Sequence, residues 1–546
     1  MKKLLALVLA LVMSMSLVTI SNAAFKDADK IDYKEAVDVM NAVGVFIGDE
    51  KGNFNAKENL TREQAAKIIA YLELGDKAAD ALVGGATFTD VASTRWSAGF
   101  VGYCAQAGVV AGVGNGKFDP AGQLTALQFG KMLLVELGYD AKAAGMVGAD
   151  WAINTSKLMA KAELMDGIEG SVNQVITREK AAKMCLNALE APTVEYDTKG
   201  SNIIVNGAEI NFGASEPTYV TNTIAKEQTI SNEKLSNSNA YLIELGEKLY
   251  KNLKKIGTTD DFGRPATKWT WKSETVGTYA DAADLSYTKA VKASDIYKDL
   301  NLSDDIAAKD VTVWVNGEVK TAAATDIKKA NDTKIGAAVN SNGNGVLTEV
   351  FYDDVADTMV ITQIVTYIGE VAKTVKATDK RDAYVVVIAK AGGNGLTRPV
   401  AKGTFEYETD ETFADDAFVL YTYSVKAEAV KSLAVAEKVE GYVTKTINST
   451  KDEDKNNGMT ISGTEYKMSL ATAGEKLGNV SVKNDYTVYL DQYGYIIYVE
   501  QVQELGNYAL VLATASKGSF IGNKAQLLLT DGTVKFVDTD ENYATG

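Results

Sequence analysis

One eight-residue phrase occurs three times before residue 190, and it constrains the fold of this chain more than any other feature. Each copy begins with an apolar residue and a threonine and ends in a lysine, which an apolar, helix-like stretch follows. The threonines are 64 and 52 residues apart, which is the period of a helix–loop–helix repeat. The three copies are Leu60–Lys67, Leu124–Lys131 and Ile176–Lys183.

The spacing upstream of the phrase repeats as well. In the first two copies a phenylalanine stands seven residues before the threonine, and a glycine stands seventeen residues before it. An aromatic residue lies near the start of the first helix expected in each unit, and Phe-x-Asp opens units one and two. The sequence therefore predicts three units of similar structure. The residues concerned are Gly44 and Gly108, Phe54 and Phe118, Phe25–Asp27 and Phe88–Asp90, and Tyr33, Trp96 and Trp151.

The threonine of each phrase is expected to cap a helix. Thr61 and Thr125 are followed, at the third helical position, by a glutamine that can close a capping box. Thr177 is also expected to cap its helix, but Lys180 stands where the glutamine would be and cannot close the box.

The arginine after the threonine is not explained by capping. Arg62 and Arg178 occupy equivalent positions, and the chain has only six arginines against 50 lysines. A cation in the first helical turn opposes the helix dipole at a cost of about 0.3–1 kcal/mol. Two interpretations are open: each arginine pairs with a neighbouring carboxylate, or each presents its planar guanidinium to an anionic ligand.

These motifs together resemble the S-layer homology (SLH) domains of bacterial surface proteins. The resemblance covers about Ala24 to Ala191 and rests on three consecutive copies. It implies a three-pronged pseudo-trimer of helical repeats whose grooves bind pyruvylated secondary cell-wall polysaccharide attached to peptidoglycan. The family's groove arginine, acidic residue and tryptophan fall, in this chain, on Arg62 and Arg178, Asp27 and Asp90, and Trp96 and Trp151.

The chain departs from the family pattern in three places. Repeat two has Ala126 and Leu127 where arginine and glutamate belong, so its contribution to a groove is in doubt. Repeat one has Tyr33 in place of tryptophan, and repeat three has a shorter loop and lacks the Phe-x-Asp opening. For the two tryptophans at helix starts, stacking on a sugar ring and packing in the core are both open.

After residue 195 the sequence is typical of short strands. Asn-Gly follows Ile203–Val205 and Val311–Val315, and this dipeptide favours a type I′ hairpin turn. One helix is expected at about Asn239 to Lys255. The stretch Thr258–Pro265, with Trp269 and Trp271, looks similar to surface-layer proteins of anaerobic Gram-positive bacteria.

The expected fold class is α + β multidomain, with a helical SLH pseudo-trimer followed by mainly β modules. The expected boundaries are a signal peptide at 1–23, SLH repeats at 24–85, 86–145 and 146–195, a mixed α/β region with hairpins and one helix at 196–340, and β-rich modules at 341–450 and 451–546.

The first residues indicate export. Lys2 and Lys3 precede an apolar run from Leu4 to about Val18, and Ser21–Ala23 offers small residues for cleavage after Ala23. No later segment is long and apolar enough to span a bilayer. We therefore expect a secreted protein that is held noncovalently at the cell wall or S-layer, with no membrane insertion after cleavage.

Composition excludes several classes of function. The chain has no histidine, which removes Ser-His-Asp catalysis and histidine metal ligands, and its two cysteines are expected in the core, with a disulfide left open. A net charge of −16 argues against nucleic acid as a partner. No metal ligands are assigned, no cofactor is expected, and calcium between acidic loops is left open without named ligands.

The function expected from the sequence is structural and adhesive. The partners are the secondary cell-wall polysaccharide on peptidoglycan, and further copies of the chain in a surface lattice. The protein is not expected to be an enzyme and no catalytic residue is assigned. The alternative is an SLH-anchored surface glycan hydrolase or glycan-binding adhesin whose activity lies in residues 196–546.

Overall fold

A computed structural model provides the structure of the chain. It describes residues 25–84, 88–198, 201–205, 208–212, 214–223, 230–231, 233–330, 343–390, 403–409, 411–447, 457–474, 480–501, 509–515, 524–529 and 532–538. The expected signal peptide at 1–23 lies outside the described residues.

Helices dominate residues 25–190, and strands dominate the described residues after them, so the expected fold class is confirmed. Each repeat contributes a first helix and a second, central helix. The helices are α1 (Lys34–Ala42), α2 (Arg62–Leu74), α3 (Asp76–Asp80), α4 (Ala98–Gln106), α5 (Ala126–Glu136), α6 (Trp151–Lys161), α7 (Arg178–Glu190), α8 (Leu245–Leu249) and α9 (Ala293–Asp299).

The three phrases meet around one pseudo-threefold axis. Leu60 N–H donates to Ile176 O at 2.9 Å, Ile176 N–H to Leu124 O at 3.1 Å, and Leu124 N–H to Leu60 O at 3.4 Å. The residue before each helix cap thus closes a cyclic set of backbone hydrogen bonds. All three side chains are almost fully buried, so the axis is also the centre of a hydrophobic core.

Two of the three expected helix caps are confirmed. Thr61 and Thr125 each accept from the backbone at the third helical position, and the glutamine at that position closes a capping box. The prediction for Thr177 is wrong, because its hydroxyl is buried and has no hydrogen-bond partner. Cys104 and Cys185 are buried free thiols, as the core interpretation predicted.

The strands form several sheets. They are β1 (Val194–Glu195), β2 (Ser201–Val205), β3 (Ala208–Phe212), β4 (Thr218–Tyr219), β5 (Thr221–Asn222), β6 (Tyr241–Leu242), β7 (Leu253–Thr259), β8 (Pro265–Trp271), β9 (Glu274–Ala280), β10 (Leu285–Tyr287), β11 (Val311–Val315), β12 (Glu318–Val319), β13 (Val346–Asp353), β14 (Thr358–Val375), β15 (Tyr384–Ala389), β16 (Thr404–Glu408), β17 (Phe418–Ser424), β18 (Ala429–Val435), β19 (Glu437–Ile447), β20 (Gly458–Ile461), β21 (Thr464–Gly474), β22 (Asp485–Leu490), β23 (Ile496–Gln501), β24 (Ala509–Ala515), β25 (Lys524–Leu529) and β26 (Val534–Asp538).

The largest sheet is organised by the 18-residue strand β14. Its first half pairs with β13 and, in parallel, with β11, while its second half pairs with β15 and β17. The expected hairpin after β11 is present, with φ of 48° at Asn316 and 81° at Gly317. Because β11 and β14 pair, this sheet joins residues from both sides of the boundary expected at 340.

A closed five-stranded barrel follows. Its strand order is β19-β20-β21-β23-β22, and β21 and β23 run parallel. The strands begin at Glu437 and end at Gln501, so the barrel includes residues from both sides of the boundary expected at 450. The remaining strands β24, β25 and β26 form a separate antiparallel sheet.

The sheet of β7, β8 and β9 packs on repeat one and shares its core. Trp269 is fully buried, and its indole N–H donates to Glu35 Oε1 at 2.7 Å. Tyr279 donates its hydroxyl to Asp38 Oδ2 at 2.9 Å. The hydrophobic core of the helical repeats therefore continues past residue 195, to about residue 280.

The prediction of one helix at about Asn239 to Lys255 is wrong. This stretch contains β6, the five-residue helix α8 and the start of β7. Its apolar residues are buried because they cover the repeats, and Tyr250 donates its hydroxyl to Leu72 O at 2.8 Å. The helix α9 was not expected from the sequence.

The turn between β7 and β8 reaches the next part of the molecule. Lys431 lies 2.7 Å from the carboxylate of Asp261, and Ser424 donates to Asp261 O at 2.5 Å. Arg264 pairs with Asp260 at 2.6 Å and lies 3.7 Å from Glu349 on β13. One hairpin thus contacts repeat one at its base and the large sheet at its tip.

Candidate anionic-polymer grooves between the repeats

Arg62 extends from the first turn of α2 onto the loop of repeat two. Its Nε donates to Phe118 O at 2.9 Å and its Nη2 to Ala111 O at 2.8 Å. The guanidinium carbon lies 4.6 Å from the centre of the Phe118 ring. The two backbone carbonyls and the ring fix the orientation of the guanidinium, and neither hydrogen bond uses Nη1.

Arg178 makes the same arrangement one repeat further round. Its Nε donates to Phe54 O at 3.0 Å and its Nη2 to Ile47 O at 3.2 Å, on the loop of repeat one. The guanidinium carbon lies 5.1 Å from the centre of the Phe54 ring. The repeated phenylalanine is therefore the platform for the repeated arginine of the neighbouring unit, a relation that the separate spacings did not reveal.

The third interface has the same backbone contacts, but Ala126 stands where the other two have an arginine. Ala126 N–H donates to Gln174 O at 3.0 Å and Leu127 N–H to Val172 O at 2.7 Å. In the first interface, Arg62 N–H and Glu63 N–H make the corresponding bonds to repeat two, at 2.8 and 3.0 Å. The presence of Ala126 and Leu127 in repeat two therefore leaves the backbone contact between the repeats intact and removes only the arginine and glutamate side chains.

A groove of about 400 Å³ lies where Arg62 meets repeats two and three. One side is the loop of repeat two around Val109–Val113, the other is α5 with Gln128 and Lys131, and Trp151 of repeat three completes it. We call this the Arg62 groove. Its volume lies within the range of small-molecule binding sites, and its walls are mostly apolar with a few polar groups.

The electrostatics of the grooves follow from burial. Burial lowers the pKa of Arg62, and the nearby carboxylates of Asp119 and Asp90 raise it in part. Burial lowers the pKa of Lys131, and no carboxylate of the described chain raises it again. Burial likewise lowers the pKa of Arg178. The Arg62 groove thus holds two partly desolvated cations in a chain whose net charge is −16.

The expected acidic site residues hold the loops of their own repeats. Asp27 accepts from Phe54 N–H at 2.6 Å and Asn55 N–H at 2.8 Å. Asp90 accepts from Phe118 N–H and from the next amide, both at 2.8 Å, and the first of these bonds lowers the pKa of Asp90. Both oxygens of each carboxylate are engaged, and the amides they bind belong to the loops that carry the phenylalanine platforms.

The two expected tryptophans differ in their surroundings. Trp151 is half-buried and lines the Arg62 groove, so the structure brings it together with Arg62. Trp96 is 53% exposed, and its ring centre lies 6.3 Å from that of Phe100. Tyr33, at the equivalent position of repeat one, accepts from Glu169 N–H at 3.4 Å.

The sequence assigned no role to Lys131, and it assigned Glu63 and Glu179 only to their own helix N-termini, whereas the structure places all three at the interfaces. Lys131 ends the second copy of the phrase. A lysine ends every copy, and this repetition is the sequence signal that could have identified it. Glu63 and Glu179 reach the neighbouring repeat, where Glu63 accepts from Arg95 at 2.7 and 2.8 Å and Glu179 accepts from Asp32 N–H at 2.9 Å. No spacing in the sequence pointed to these partners.

No group of three or more acidic or cysteine side chains within the described residues could hold a metal ion. In the same part of the chain, no helix is both long and apolar enough to cross a membrane.

Comparison with known proteins agrees with the helical repeats of the fold. The family model of the S-layer homology domain matches residues 24–66 and 87–128. The chain is 25% identical over 373 residues to a cell surface protein of Thermoanaerobacter kivui, which covers 65% of this chain and 45% of that protein. It is 26% identical over 384 residues to a surface layer protein of Brevibacillus choshinensis, covering 61% and 32%.

A third relative is a surface-layer 125 kDa protein of Lysinibacillus sphaericus, 28% identical over 235 residues, covering 40% of this chain and 19% of that protein. The chain spans less than half the length of these three curated relatives. It contains S-layer homology domains. It is similar to a cell surface protein and a surface layer protein over 65% and 61% of its length, which indicates a secreted protein at the cell wall or S-layer.

Proposed function

We propose that the helical repeats anchor this protein noncovalently to the cell wall by binding pyruvylated secondary cell-wall polysaccharide. The observation that carries the proposal is the Arg62 groove, which a fixed guanidinium, Lys131 and Trp151 line together, with neither cation paired to a carboxylate of the described residues. A ketal-linked pyruvate carries a planar carboxylate, and a guanidinium edge matches that geometry.

The walls of the groove suit the rest of such a ligand. Val110, Val113 and Met132 form apolar surface on both sides, where the methyl group of a pyruvate ketal can be buried. Trp151 offers a ring beside a sugar face. Since the whole chain is acidic, long-range electrostatics oppose an anionic polymer, and the affinity has to come from these short-range contacts.

Repeat symmetry supplies a second groove of the same kind. Arg178 on the loop of repeat one corresponds to Arg62 on the loop of repeat two, and Trp96 of repeat two corresponds to Trp151 of repeat three. In this proposal Asp27 and Asp90 act at the grooves by fixing the loops that carry the phenylalanine platforms. The interface of Ala126 holds the repeats together and binds no polymer.

The outer β modules are proposed to contact neighbouring copies in a surface lattice, in a structural and non-enzymatic role. The relatives are named as surface and surface-layer proteins. Burial raises the pKa of Asp491 to about 7 and raises that of Glu349. Both carboxyls are buried. A hydrolase needs a carboxyl that its substrate can reach, so this observation does not favour a hydrolase.

The test is co-sedimentation of the full chain with purified cell-wall sacculi. The full chain is needed because the core of the repeats continues into β7–β9. The variant with Arg62→Ala and Arg178→Ala is expected to remain in the supernatant, as wild type does with sacculi stripped of their secondary polymer. Arg381→Ala is the matched control, because Arg381 is exposed and pairs with Glu406 far from the repeats.

Pelleting that survives both arginine substitutions, or that survives stripping, contradicts the proposal. Circular dichroism of the double variant shows whether the loss reflects binding alone, since the helical signal is expected to equal that of wild type.

A further inference from the structure

Lys131 is the second cation of the Arg62 groove. It lies on α5, across the groove from the repeat-two loop that holds the guanidinium. The desolvation that lowers its pKa is uncompensated, whereas the pKa of Arg62 is partly restored by Asp119 and Asp90. A partly buried ammonium without an anion is unfavourable, so its retention at this position needs a reason.

The other two copies of the phrase show what the same lysine does when it has a partner. Lys67 lies over the rings of Tyr71 and Phe100, with its Nζ 4.9 and 5.8 Å from their centres. Lys183 is close enough to Glu35 for its charge to lower the pKa of that carboxyl. The lysine that lines the groove is therefore the one whose charge is not balanced by the protein.

Charge balance then limits the ligand. Among the residues that the structure describes, no carboxylate offsets the desolvation of Lys131. A single carboxylate held by Arg62 would neutralise one of the two cations and leave the other desolvated. A groove of about 400 Å³ has room for a second anionic substituent beside the first.

We infer that the Arg62 groove recognises a polymer unit with two anionic groups, of which Arg62 binds one carboxylate and Lys131 binds the second group. The inference rests on the proposed function, because it assumes that the groove binds the wall polymer. It goes further in naming a specificity residue and a ligand class: Lys131 selects doubly charged units over singly charged ones.

The experiment uses the full chain and two probes. The first probe is isolated pyruvylated wall polysaccharide, and the second is a methyl glycoside with a single pyruvate ketal. Affinity for each is measured by calorimetry over a range of salt concentrations. The variants are Lys131→Met and Lys131→Arg, with Lys67→Met and Lys183→Met as matched controls from the same position of the phrase.

The expected result is that Lys131→Met weakens polysaccharide binding about tenfold, as loss of one charge-assisted contact should. It also lowers the slope of log affinity against log salt by about one, because one ionic contact is lost. Binding of the singly charged glycoside changes less than threefold. Lys131→Arg restores the polysaccharide affinity, and both control variants behave as wild type.

Two results overturn the inference while leaving the proposed function intact. One is an unchanged polysaccharide affinity and salt slope in Lys131→Met. The other is an equal loss for both probes, which means that the two cations share one carboxylate. If wild type binds neither probe, or if the double variant Arg62→Met, Arg178→Met binds both as wild type does, the proposed function itself fails and the inference with it.

Discussion

The interface of Arg62 and the interface of Ala126 have the same backbone and different side chains. In both, the first two amides of a central helix donate to the loop of the next repeat, and a threonine closes a capping box behind them. Only the first interface carries the arginine and, after it, Glu63. The backbone contacts and the buried axis, which both interfaces share, are therefore what the pseudo-trimer needs for folding. The arginine and the glutamate are additional to that need.

The largest change in stability is expected at the position that follows the arginine, where two repeats have a glutamate and repeat two has a leucine. Leu127 is buried where Glu63 and Glu179 stand in the other repeats. The partners of those glutamates, Arg95 and Lys57, correspond by repeat alignment to an aspartate and an asparagine in repeat three. Leu127→Glu therefore buries a carboxylate with no cation, and we expect a loss of about 3–5 kcal/mol in unfolding free energy.

Calorimetry of the full chain, with hydrogen exchange of peptides from α5, measures this loss. Leu127→Met is the control, since a swap of similar volume costs less than about 1.5 kcal/mol. If Leu127→Glu is as stable as wild type at pH 7, this position can accept a carboxylate. The two interfaces then do not differ in the way described above.

Repeat two also differs in the acid that ends its central helix. Glu136 is buried, and this burial, together with the charge of Glu73, raises its pKa from 4.5 to about 8, although Lys248 acts in the opposite direction. The folded chain then binds a proton that the unfolded chain has released, so stability falls as pH rises from about 5 to about 8. At about 1.4 kcal/mol per pKa unit the fall is on the order of a few kcal/mol.

Glu136→Gln removes this dependence, because the amide stays neutral. Thermal unfolding of the full chain between pH 5 and pH 9 is expected to show a shallower decline for the variant than for wild type. Parallel curves for the two proteins contradict the assignment of Glu136 as the titrating group.

Removing the glutamate from the arginine interface should have a smaller effect. Glu63→Gln loses the charge that accepts from Arg95 and Ser97, and we expect about 1–3 kcal/mol of destabilisation. These partners hold the pKa of Glu63 below its usual value, so the stabilisation is present above the unfolded pKa and is lost as pH falls through the folded one. Calorimetry at pH 7 and at pH 3 should show the difference from wild type shrinking, while Glu50→Gln, on an exposed loop, changes little at either pH.

The helix caps should give the smallest differences. Thr61 accepts a hydrogen bond at its helix start and Thr177 does not. Thr61→Ala is therefore expected to cost about 1 kcal/mol, and Thr177→Ala only a few tenths. Hydrogen exchange of the first turns of α2 and α7 measures the two losses separately. Equal losses show that the two threonines cap alike.

The sequence predicted the repeats, two of their caps and the equivalence of Arg62 and Arg178, because these features depend on local spacing. It did not predict that Phe118 and Phe54 support the arginine of a neighbouring repeat, because that contact joins residues 56 and 124 positions apart. The same holds for Lys131, whose missing partner is visible only once the walls of the groove are assembled.

The sequence predicted that the region after residue 195 is rich in strands, but it did not predict how those strands pair. Strand pairing is non-local, so the parallel contact of β11 with β14 and the closure of the barrel depend on packing that no short stretch records. Tyr250 and Leu253 have the spacing of a helix but are buried against the repeats, where tertiary packing decided the local structure.

The hairpin of β7 and β8 has a mechanical consequence. At its base Trp269 is bonded to Glu35 of repeat one, and at its tip Asp261 is bonded to Lys431 of the large sheet. Tension on the outer modules can therefore pass to repeat one through these side chains as well as along the main chain. The two strands pair over seven residues, so the hairpin forms a continuous link between these two contacts.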